Sequence, residues 1–223
     1  MNMHEKPRNP YSKQWEYVKE IFFAENESSN TYLVLRFFLL VIAVGLMAMP
    51  AMFIRLISGK TRECRKIWIE LYACTKPLLF LFILLWGYTH FSLWVFFTAY
   101  FLIDLYLYLF GLIFLRKLYT PPASHDRSLV LLGINFIESI LGFAVLYSYS
   151  QSIMNSNSLI IITRPLDQIY FSCITAATIG YGDMIPATPF GKVLVILQAL
   201  SSMLFVSVFI SRFVGNLQGK MNS

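Results

Sequence analysis

Charge is the scarcest property of this chain. Of its 223 residues only 13% are Asp, Glu, Lys or Arg, about half of the roughly 25% usual in soluble domains. With 57% hydrophobic and 17% aromatic residues, that shortage excludes an ordinary soluble globule, a disordered chain and a nucleic-acid binder. Histidine is down to three, His4, His90 and His125, too scattered for a catalytic or metal constellation. The three cysteines, Cys64, Cys74 and Cys173, are odd in number and show no CxxC spacing, so they read as free thiols. Phosphate-cradling loops are absent, and no enzyme activity and no cofactor are expected. Nor does any segment carry arginine at every third position, as a voltage sensor needs; Arg36, Lys76 and Arg116 are scattered.

What remains is long apolar runs. Thr31–Ile57, Ile67–Tyr88, Phe91–Leu115, Ser128–Tyr149 and Phe190–Gly215 are each long enough to cross a hydrocarbon core of about 30 Å as a tilted helix. The fold class that follows is an all-α membrane protein with five transmembrane helices. Residues 1–30 form a polar tail without a signal peptide, so the first apolar run is expected to act as its own insertion signal. In that tail Tyr11, Trp15, Val18 and Phe22 recur at helical spacing and suggest an interfacial helix. A three-helix unit over 31–116 and a second domain over 128–215 complete the division.

A sixth stretch, Pro165–Thr178, is too short to cross. It opens with a proline where a helix tolerates one and with Asp167 where the positive end of the helix dipole favours a carboxylate. It reads as a half-helix that enters the membrane and returns. Irregular backbone at that depth survives only where it is buried in protein or lines a water-filled cavity. The segment that follows is Thr178-Ile179-Gly180-Tyr181-Gly182-Asp183.

This hexapeptide closely resembles the selectivity filter of the potassium channel family. The order of outer helix, polar turret, half-helix, filter and inner helix over about the last 95 residues is also similar. The resemblance implies a re-entrant pore loop and a homotetramer around one pore, since a single loop cannot enclose an axis. It further implies passive, selective K⁺ conduction, with ions held by Thr178, Ile179, Gly180 and Tyr181. A dehydrating K⁺ needs a ring of oxygens, which backbone carbonyls can supply. Pointing successive carbonyls at one axis requires φ > 0 at alternate positions, which glycine reaches most readily. Thr178 can add its hydroxyl as the innermost ligand, whereas Ile179 and Tyr181 face away from the axis. Asp183 and Tyr170 are expected to support the filter through a phenol–carboxylate hydrogen bond. The chain departs from common family patterns at Ala177, Ile174, the pair Tyr170-Phe171, and Ser201-Ser202, the last where many members carry a hinge glycine. The alternative function is a non-conducting regulatory subunit or a K⁺ sensor. A non-selective cation channel is the nearer rival, against which the intact Tyr181 speaks.

The family's orientation puts Ser128 and Gly215 in the cytoplasm. By parity Thr89 is then outside, Ser58–Lys66 inside and Thr31 outside. Arg55, Lys60, Arg62, Arg65, Lys66, Arg116, Lys117, Arg127, Arg212 and Lys220 all fall inside, as basic residues should. The net charge of +6 is therefore an edge charge in a multi-pass protein of the plasma membrane, facing lipid rather than nucleic acid. The tail, with Lys6, Arg8, Lys13 and Lys19, sits awkwardly outside under this scheme.

Three ionisable residues lie deep by helix arithmetic. Lys76 is roughly 13 Å from the inner start of its run at Ile67, and Asp104 is roughly 19 Å from Phe91. Glu138, ten residues from Ser128, reaches a comparable level. Intramembrane charges are costly and usually pair. A Lys76–Asp104 pair is expected, with Glu138 close enough to link the three-helix unit to the pore domain.

Overall fold

The computed structural model describes residues 14–16, 18–19, 33–50, 54, 62–115 and 125–221. Among these the chain is helical almost throughout. Helix α1 covers Leu33–Met47, α2 Arg62–Leu85, α3 Ser92–Phe114, α4 His125–Ser150, α5 Pro165–Ala176 and α6 Pro189–Met221. Two three-residue strands, β1 (Ile153–Asn155) and β2 (Met184–Pro186), pair antiparallel with Ile153 opposite Pro186 and Asn155 opposite Met184. A single turn of tighter helix, Tyr88–His90, joins α2 to α3, entered through Gly87 at φ 73°.

Four of these helices contain spans long and apolar enough to cross a membrane: Ile67–Leu85, Ser92–Phe114, Arg127–Ser150 and Pro189–Ser211. The protein is thus a multi-pass, helical membrane protein. Among the described residues the run Thr31–Ile57 contains a shorter element. Helix α1 has 15 residues, about 22 Å at 1.5 Å per residue, and gives way to a turn at Ala48 just before Pro50. The rest of that run, apart from Ile54, lies outside the described residues, as do Tyr11 and Phe22 of the tail.

The chain divides into two compact units, Met1–Tyr72 with Tyr106–Pro121, and Ala73–Leu105 with Pro122–Ser223. The boundary differs from the 31–116 and 128–215 division read from the sequence, because it cuts through α2 and α3. Apolar burial explains why. In the second unit Phe80, Ile83 and Leu84 of α2 share one core with Leu141, Ala144 and Val145 of α4. Gly142 allows Leu102 of α3 to come close, for a Cβ there would sit 2.7 Å from the leucine Cδ2. In the first unit Val18, Ile42, Ala43 and Leu115 form a separate cluster, and the Gln14 amide donates to the Ala43 carbonyl at 2.8 Å.

Candidate functional site

Helix α5 begins as its sequence dictates, with Pro165 in the first turn, where the missing N–H costs nothing, and Asp167 beside it. Its 12 residues make a rod of about 18 Å, too short to cross. The far end is built by backbone alone. Thr178 N–H donates to the Thr175 carbonyl at 3.1 Å and Ile179 N–H to the Ile174 carbonyl at 2.9 Å. These two bonds close a Schellman motif, which requires a left-handed residue between them. That residue is Thr178, at φ 56°. A motif that usually takes glycine is here filled by a threonine, whose hydroxyl is thereby carried to the start of the next segment.

Left-handed backbone then recurs at every second position. Gly180 has φ 58° and Gly182 φ 80°, whereas Ile179 and Tyr181 between them do not have positive φ. Alternating handedness turns successive peptide planes so that their carbonyls face the same way. No atom stands within 4 Å of a Cβ built at either glycine, so the demand for glycine is conformational rather than steric. The side chains of Ile179 and Tyr181 are 52% and 68% exposed, unusual for such large apolar groups.

The segment is anchored on both sides. At its end Asp183 offers its backbone carbonyl to Ser156 N–H at 2.9 Å, and β2 continues from it into the ribbon with β1. Tyr170, half-buried on α5, faces Asp183. Burial first, and then the nearby Asp183 carboxylate, raise the phenol above its ordinary pKa, so that it keeps its proton. The turret is held by the Asn155 side chain, which accepts from Asn157 and Ser158 N–H at 2.9 and 3.0 Å, and by Ala187 N–H donating to the Ser152 carbonyl at 2.7 Å. Gln168, fully buried on α5, donates to the Ile162 carbonyl at 2.5 Å.

Away from this segment the structure brings three charged side chains together. Lys76 Nζ lies 2.9 Å from Glu138 Oε1 and 3.8 Å from Asp104 Oδ2, and all three residues are buried. The ammonium therefore ties α2 and α3 to α4 inside the second unit, with its shorter contact to the glutamate.

Sequence reasoning missed the polar connection behind α5. Tyr147 of α4, Ser172 of α5 and Gln198 of α6 are joined by hydrogen bonds of 2.7 to 2.8 Å. One signal could have found it. A lone amide in an apolar run is expensive unless paired, and Gln198 stands among Leu194, Val195, Ile196, Leu197, Ala199 and Leu200. The β1–β2 ribbon had no comparable signal, being only three residues on each side.

Residues 135–218 match the family described as "Ion channel". Over 91 residues, 39% of this chain and 4% of the relative, the sequence is 36% identical to "Potassium channel K1" of Plasmodium berghei (strain Anka). It is 34% identical over 61 residues to "Two pore potassium channel b" of Oryza sativa subsp. japonica, covering 27% of this chain and 18% of that one. With "Two-pore potassium channel 4" of Arabidopsis thaliana the identity is 35% over 52 residues, 23% of this chain and 18% of the relative. The chain thus spans less than a fifth of the length of the curated relatives it matches. These relatives are ion channels rather than enzymes, and the half-helix and the segment after it lie inside the matched stretch. Over residues 135–218 the chain is similar to the ion-channel family, and the curated relatives it resembles are potassium channels.

Proposed function

We propose that the protein is a potassium-selective channel that conducts K⁺ passively through a homotetrameric pore, with residues 178–182 as the filter. The observation that carries this reading is the alternation of left-handed backbone at Thr178, Gly180 and Gly182, directly after a half-helix that cannot cross the membrane. Carbonyls of Thr178, Ile179, Gly180 and Tyr181 replace the water of a dehydrated K⁺, and the Thr178 hydroxyl adds the innermost oxygen. The carbonyl end of α5 points its partial negative charge towards the ion before it enters. Four copies supply the ring. Exposed side chains agree with that assembly: Ile179 and Tyr181 lie bare on the single chain, as do Leu197, Leu200, Met203 and Val206 of α6. Asp183 and Tyr170 brace the outer end. The channel sits in the plasma membrane with its C-terminus in the cytoplasm.

The test is ion flux from liposomes containing the purified protein alone, with K⁺ and Na⁺ gradients compared. Selective K⁺ efflux is expected, and Gly180→Ala is expected to abolish either flux or selectivity, because a Cβ disfavours φ > 0. Equal permeation of Na⁺ and K⁺ overturns the reading. An intact, assembled wild type that binds K⁺ without passing it would instead mark a K⁺-sensing or regulatory subunit.

A further inference from the structure

Tyr147, Ser172 and Gln198 are each fully buried, and none belongs to the segment 178–183. The Tyr147 hydroxyl donates to Gln198 Oε1 at 2.8 Å. Gln198 Nε2 donates to the Ser172 carbonyl at 2.8 Å and to its hydroxyl at 2.7 Å. That hydroxyl in turn donates to the Ile140 carbonyl at 2.7 Å. One amide thereby holds α4, α5 and α6 in a single relay, with both of its N–H groups and its oxygen engaged.

The relay reaches the half-helix at an informative place. Ser172 lies two residues before Ile174, whose carbonyl accepts the N–H of Ile179 and so closes the end of α5. A rotation of α5 about its axis would swing the carbonyls of Ile174 and Thr175 and, with them, the left-handed Thr178. An apolar side chain of equal volume would fill the space between α5 and α6 without fixing that rotation, since apolar packing is not directional. Hydrogen bonds from a branched amide are directional.

We propose that Gln198 is a positioning residue: through Ser172 it fixes the rotation of the half-helix Pro165–Ala176, and so the aim of the carbonyls from Thr178 onward, and links them to the position of the inner helix α6. This deepens the channel reading and rests on it.

The experiment compares wild type with Gln198→Met, which keeps the volume and removes every bond of the amide, and with Tyr147→Phe and Ser172→Ala, which remove fewer bonds. Two quantities are read on the purified protein: the K⁺/Na⁺ flux ratio in liposomes, and the rise in melting temperature in detergent when K⁺ replaces Na⁺. Binding to the native state alone raises stability by mass action. Gln198→Met is expected to assemble, to lose the K⁺-dependent rise, and to lower the flux ratio about tenfold, the factor that about 1.4 kcal/mol makes. Tyr147→Phe should fall between it and wild type. A Gln198→Met protein with the wild-type ratio and the wild-type K⁺ response overturns the proposal while leaving the channel reading intact. Should Gln198→Met fail to assemble, the smaller variants decide, and wild-type values in both Tyr147→Phe and Ser172→Ala overturn it. A wild type with neither selective flux nor a K⁺ response overturns both readings together.

Discussion

Lys76 shows what a single residue can hold together inside a membrane. Its ammonium faces two carboxylates, Glu138 at 2.9 Å and Asp104 at 3.8 Å, on helices α4 and α3. Buried pairs add little net stability over an apolar alternative, but removing one partner strands the other charge and costs about 3–5 kcal/mol. Lys76→Met should therefore lower the melting temperature of the purified protein markedly, and it should do so more than Asp104→Asn, because it strands two carboxylates whereas Asp104→Asn leaves Lys76 paired with Glu138. Adding Glu138→Gln to Lys76→Met should restore part of the loss, since one stranded carboxylate is then neutral. A Lys76→Met protein as stable as wild type would remove the pair from any account of the fold. The depth of these residues can be read from helix length alone, as can their opposite signs. Their ranking cannot: the sequence pairs Lys76 with Asp104, and the shorter contact is with Glu138, because rotation about a helix axis is set by packing that no residue count reveals.

At the scale of elements, proline and aspartate at its start and a glycine-alternating segment at its end made α5 legible. The stop itself was not written in residue type, for the left-handed position is Thr178 and not a glycine. Equally invisible was the contact between the turret and the start of α6. At Gly191 an added Cβ would meet Ser152 Cβ at 2.7 Å and the Ser152 carbonyl oxygen at 2.8 Å, and the Gly191 N–H is held by the Thr188 hydroxyl at 3.0 Å. Backbone cannot yield as a flexible side-chain tip can. Overpacking of this kind costs about 1–3 kcal/mol, so Gly191→Ala should lower the melting temperature. It should also loosen the β1–β2 ribbon, because the Ser152 carbonyl accepts from Ala187 immediately after β2. Hydrogen exchange at Ala187 gives the local readout. Unchanged protection there, with unchanged stability, would mean that α6 and the turret separate at no cost. Gly142, also close to a neighbour, meets only the Leu102 side chain, and alanine there should be the milder change.

For the whole molecule the open matter is which side of the membrane holds the N-terminal tail. Reading Thr31–Ile57 as a crossing puts the tail outside, against the pull of its four basic residues Lys6, Arg8, Lys13 and Lys19. Among the described residues four helices are long and apolar enough to cross, and we propose that these are the crossings, for two reasons. Helix α1, with 15 residues, is about 22 Å long against a core of about 30 Å. The tail also touches a defined level of its own unit: Gln14 bonds to Ala43, near the end of α1, and Val18 is buried with Leu115, which directly follows α3. In the orientation with a cytoplasmic C-terminus, the Leu115 end of α3 is the cytoplasmic one. With four crossings and the proposed cytoplasmic C-terminus, the chain returns to the side on which it began, and the basic tail satisfies the positive-inside bias. The expected outcome is concrete. In a background with Cys64, Cys74 and Cys173 changed to serine, Ser12→Cys and Ser223→Cys should both resist a membrane-impermeant maleimide applied to intact cells, and both should react once the membrane is opened. Labelling of Ser12→Cys from outside, with Ser223→Cys protected, would restore the fifth crossing and require the residues beyond Met47 to complete it.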